Sequence, residues 1–179
     1  MKSPLTVLAI ALIASGALAQ QPQIPTLQVC NGTKANGKAS VHLTARQDAA
    51  HTGDFTIHLD GVGCDPINGD GFPAGSIGLD LSLSDSSATN VTATSIEQLT
   101  TTGKHTPTMY LNGRCKATTS NGTVPCHYWL ILVNNKPATS NTGTPDVVGF
   151  LVVDKTGKRI TYGTGPVRAG DIDIVSTAN

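Results

Sequence analysis

The chain has 179 residues, with 12 Lys and Arg balanced by 12 Asp and Glu, and it is 39% hydrophobic but only 4% aromatic. Zero formal charge excludes the broad basic footprint that nucleic acid or an acidic lipid surface requires. Past the first twenty residues no apolar run approaches the roughly 20 residues of a membrane-spanning helix. Among the residues are 24 Thr and 12 Ser, a bias toward strands and turns rather than helices.

The amino terminus has the layout of an export signal: Lys2, an apolar run from Leu5 to Ala14, and the small-x-small pattern Ala17-Leu18-Ala19. Residues 1–19 are therefore expected to be removed. Residues 20–25 (QQPQIP) read as a flexible lead-in, and residues 26–179 as a single domain, secreted or periplasmic. In an oxidising compartment the even set Cys30, Cys64, Cys115 and Cys126 reads as two disulfides. The pairing Cys30–Cys64 with Cys115–Cys126 is favoured. Ser120-Asn121-Gly122-Thr123 is a turn signal that would set Leu111, Cys115 and Ala117 against Cys126, Tyr128 and Leu130. The spacings match no zinc pattern and include no Cys-x-x-Cys.

Downstream the pattern is β almost throughout. Val41, Leu43 and Ala45 alternate with His42, Thr44 and Arg46, and Phe55, Ile57 and Leu59 alternate with Thr56 and His58. Ile77, Leu79, Leu81 and Leu83 form the cleanest half-buried strand. A short segment from Ser95 to Thr102 reads as a single helical turn. Tyr128 to Val133 is continuously apolar, the signature of a central strand covered on both faces. Val147 to Asp154 and Arg159 to Gly163 make a hairpin across Lys155-Thr156-Gly157-Lys158, and a last strand, Ile172 to Val175, follows a Gly170-Asp171 turn. About nine strands in one domain indicate an all-β, two-sheet antiparallel β-sandwich of immunoglobulin-like or related Greek-key type, with an open barrel as the alternative.

In two features the chain resembles chaperone-assembled fimbrial subunits: Cys30 and Cys64 bracket the opening strands, and a final strand follows Gly170-Asp171. The resemblance implies an incomplete sandwich. The chain departs from that pattern in ending Ser176-Thr177-Ala178-Asn179 without a near-terminal Tyr, and in its second cysteine pair.

The richest polar cluster is Asp60 to Gly75. There Asp60, Asp65, Asn68 and Asp70 are candidate oxygen ligands for calcium, although the bidentate Glu of an EF-hand loop is absent. Asp65, Asn68, Asp70 and Phe72 also make this loop the candidate binding surface. His42 and His58 are placed to face each other on neighbouring strands as a two-ligand metal pair. For catalysis the sequence offers no Gly-x-Ser-x-Gly elbow and a single Glu, Glu97. Trp129, Tyr110, Tyr128, Phe150 and Phe55 read as core or its rim, so the aromatic platform of a carbohydrate site is not expected. These features favour an exported, non-enzymatic sandwich with a binding or surface-structural role, using a protein partner or self-assembly and no cofactor. A calcium-binding module on the Asp60–Asp70 loop and a hydrolase of unfamiliar type are the alternatives.

Overall fold

The computed structural model describes residues 33–44, 50–64, 73–103, 105–136 and 143–175. Nine strands are present among them: β1 (Lys34–Leu43), β2 (Gly53–Cys64), β3 (Pro73–Leu83), β4 (Ala88–Ala93), β5 (Gln98–Thr102), β6 (Thr108–Thr119), β7 (Gly122–Val133), β8 (Val147–Asp154) and β9 (Arg159–Val175). The segment expected to form a helical turn supplies β5 instead.

All pairings are antiparallel, in the order β4-β3-β2-β1-β9-β8-β7-β6-β5. The carboxyl-terminal half of β6 also pairs with β4, matching Val91 with Ala117 and Ala93 with Cys115. That pairing returns the sheet to its first strand. The result is a closed eight-stranded barrel with β5 added along the other half of β6, where Leu99 meets Leu111. The expected sandwich is overturned, and with it the incomplete sandwich that the fimbrial resemblance implied. The cause is β9. The Gly170-Asp171 step does not end a strand; β9 runs on for 17 residues, pairing with β8 through Arg159–Pro166 and with β1 through Val167–Val175. Gly170 takes φ +85°, and its backbone lies against the Lys38 carbonyl, so a β-carbon there would sit 2.0 Å from that oxygen. A bend at this point carries one strand around the barrel wall where two stacked sheets would need a break.

Alternation sets the interior. Ile77, Leu79, Leu81 and Leu83 of β3 point inward with Phe55 and Ile57 of β2, Leu130 and Leu132 of β7, and Val148, Phe150 and Val152 of β8. Each such side chain contributes roughly 1.5–3 kcal/mol when fully buried. Phe55 and Phe150 meet edge to face at 4.9 Å. They fit because Gly163 stands opposite: a β-carbon there would lie 2.8 Å from Phe150 and 3.1 Å from Phe55. A void of about 10 Å³ beside Ile77, Val91 and Tyr128 has room for about one water molecule.

Of the two disulfides expected, Cys115–Cys126 has both of its cysteines among the described residues. These residues are register partners on β6 and β7. Cys64 is not a free thiol, and Cys30 lies outside the described residues. The tight turns follow the sequence signals. Asp154 accepts hydrogen bonds from the Thr156 and Lys158 amides at 2.8 and 3.0 Å across the β8–β9 turn.

Candidate functional site

Of the candidate calcium ligands, Asp60 lies exposed on β2 opposite Ser76. Asp65, Asn68, Asp70 and Phe72 fall outside the described residues. Among the described residues no group of three or more His, Cys, Asp or Glu side chains converges to hold a metal. The expected His42–His58 pair does not form. The β1–β2 register sets His42 opposite Asp54 and His58 opposite Lys38. Each imidazole instead meets a carboxylate: His42 Nδ1 lies 2.8 Å from Asp54, and His58 Nε2 lies 2.8 Å from Asp80. Asn90 donates a further bond to Asp80 at 2.9 Å. These bonds hold the Asp80 carboxyl below its ordinary value, the one from Asn90 contributing most.

The outer wall of β1–β4 is therefore a polar surface of cross-strand pairs, extended by the Ser40–Thr56 hydroxyl bond at 2.8 Å. With apolar side chains inward and polar ones outward, this part of the wall has the reverse of the polarity that an outer-membrane barrel needs. No helix among the described residues is long and apolar enough to cross a membrane.

The opposite wall differs. On β7 the inward set is Cys126, Tyr128, Leu130 and Leu132, so the continuous apolar run also turns Trp129, Ile131 and Val133 outward. On β8 the outward set is Val147, Gly149, Leu151 and Val153. Register pairs Trp129 with Leu151, Ile131 with Gly149 and Val133 with Val147, and sets Tyr110 of β6 beside Ile131. Trp129 is 46% exposed, Tyr110 48% and Leu151 37%. Trp129, expected within a strand covered on both faces, and Tyr110, expected in the core or at its rim, thus both point outward, and among the described residues only the inner face of β7 is covered. The aromatics wall a groove of about 420 Å³ that includes Gln98, Thr100, Asn112 and Thr164 and contains no charged residue. Tyr128, one residue from Trp129, points the other way. Its hydroxyl donates to the Ser95 carbonyl at 3.2 Å, and burial pushes its ionisation well above the ordinary range.

A signal for this face exists in the sequence. Once Cys126 is paired inside the barrel with Cys115, period-two alternation forces Trp129 outward. Uniform hydropathy across Tyr128–Val133 conceals that phase.

No protein-family model matches the chain, and no curated protein and no solved structure matches it significantly.

Proposed function

We propose that this barrel is a docking module that binds a protein partner through the outward face of β6, β7 and β8. The observation that carries the reading is the exposed cluster of Trp129, Tyr110 and Leu151 on a charge-free groove, while the β1–β4 wall is polar. Trp and Tyr supply a disproportionate share of binding energy at protein interfaces, whose centres are depleted in charge. The export pattern at residues 1–19 supports action outside the cytoplasm. Absence of a nucleophile motif from the sequence supports a role without chemistry of its own.

Site-specific photo-crosslinking in the exporting cell tests the reading. A photoreactive phenylalanine analogue placed at Tyr110 or at Leu151 is expected to yield protein adducts, and the same analogue at Thr56 on the polar wall is not. Absence of adducts from both positions on the groove defeats the proposal.

A further inference from the structure

Resting on that reading, we propose that the partner on the β6–β8 face is a second copy of this chain, held by a two-fold contact whose axis runs along the strands between β7 and β8. The first argument is electrostatic. A groove without charged lining is best matched by another without charge, and the polar wall, with His42–Asp54 and His58–Asp80, is no such match. The chain's 12 positive and 12 negative residues leave two copies free of net repulsion.

The second argument is register. Rotation about the stated axis lays β7 of one copy over β8 of the other. Residues that are neighbours within one barrel then face each other across the contact: Trp129 meets Leu151, Ile131 meets Gly149, and Val133 meets Val147. At the second position a large side chain meets the bare backbone of a glycine. Each contact occurs twice, as an isologous interface requires. The third argument is the sequence itself. β7 and β8 carry apolar residues on both faces, the pattern of strands covered on both sides, yet the barrel interior takes up only one.

Size sets the strength. The stated axis also lays β6 over the other copy's β9, so four strands, β6 to β9, about 4.8 Å apart and roughly seven residues at about 3.4 Å each outline roughly 450 Å² per copy. A standard interface buries about 800 Å² per partner. The dimer is therefore reversible, with dissociation in the micromolar range or weaker.

Sedimentation of the oxidised protein from about 1 to about 500 µM is expected to show mass rising from one copy toward two. Trp129 is the only tryptophan, so its emission reports on this face alone and should shift to the blue with the same midpoint. The variants Trp129→Lys and Leu151→Asp should each remain monomeric. Their mixture should associate, because one Lys–Asp contact and one native Trp129–Leu151 contact form only between unlike copies. Unaltered protein that stays monomeric throughout overturns the proposal, and so does association of either variant alone at the strength of the unaltered chain. Should the variants fail to fold, the dilution series still decides. A monomer whose Tyr110 and Leu151 positions crosslink to a different protein removes the second copy and leaves the docking face standing; a monomer without adducts removes both.

Discussion

The His51 imidazole lies flat on the Tyr162 ring, with centroids 3.9 Å apart and planes within 7°. Arg159 covers Tyr162 as well, its guanidinium 4.2 Å from the ring centroid. His51 is only 5% exposed, and its Nδ1 bonds the Asp85 carboxylate. One side chain thus ties the approach to β2, the β3–β4 turn and the start of β9. His51→Ala removes the stack and the bond together and should cost about 2–3 kcal/mol. His51→Gln, which can still reach Asp85, should recover part of it. Urea unfolding midpoints measure both, and equal stability of all three proteins would show that the stack is incidental.

Gly163 explains how two phenylalanines share the centre of the barrel. Its missing side chain leaves the space into which Phe150 and Phe55 turn their ring edges. Gly163→Ala inserts a methyl group within 2.8 Å of Phe150, so one ring must leave its position. Overpacking of this kind costs about 1–3 kcal/mol. The truncation Phe150→Ala opens a cavity at a cost of about 3–5 kcal/mol. Combined, the two changes should destabilise by less than their sum, because the added methyl occupies part of the space Phe150 vacates. Strict additivity in denaturant titrations would place the two residues out of contact.

Local structure was legible from the residues, and closure was not. The alternation Ile77, Leu79, Leu81, Leu83 is the inward set of β3, and the hairpin across residues 155–158 joins β8 to β9. The pairings that separate a barrel from a sandwich are β1 with β9 and β4 with β6. They join strands remote in sequence, and the inward–outward pattern is the same in both architectures. Gly170-Asp171 looked like a turn because Gly favours positive φ; here that φ serves a bend within a continuous strand. On the candidate site, hydropathy marked the Trp129 strand as buried, and only its phase relative to Cys126 distinguishes wall from core.

Cys115 and Cys126 are register partners with Cα atoms 4.8 Å apart, two rows from the Leu111–Leu130 pair in the same inward face. In the chain-entropy account a crosslink closing a loop of about 12 residues stabilises by about 3 kcal/mol. Cys115→Ala with Cys126→Ala should lower stability by about that amount and leave the far-ultraviolet circular dichroism of the folded protein unchanged. Because the pair lies inside the barrel and Trp129 outside, tryptophan emission of the folded double variant should match the parent at equal dilution. An emission shift without loss of stability would reverse this assignment of faces.

Two carboxyl groups give opposite dependences on pH. Asp146 is 2% exposed and accepts amide hydrogen bonds from Asn135 at 2.9 Å and Ile172 at 3.3 Å. Burial, and then the hydrogen bond and charge of Asp146, raise the neighbouring Asp171 carboxyl above its ordinary value of 3.8. The folded state therefore holds the Asp171 proton more tightly than the unfolded chain does. The contribution is fully present below 3.8 and is lost as pH rises through the raised value. Asp80 has the reverse sign: its carboxyl is lowered from 3.8, so its contribution is present above that value and lost as pH falls through the lower one. Asp171→Asn keeps a donor for Asp146 and removes the repulsion, so it should be more stable than the parent at neutral pH, with the difference shrinking toward pH 4. Asp80→Asn should be less stable at neutral pH and converge on the parent in stronger acid. Urea midpoints from about pH 2.5 to about pH 8 measure both differences. A gap between Asp171→Asn and the parent that widens on acidification would contradict a raised Asp171 carboxyl.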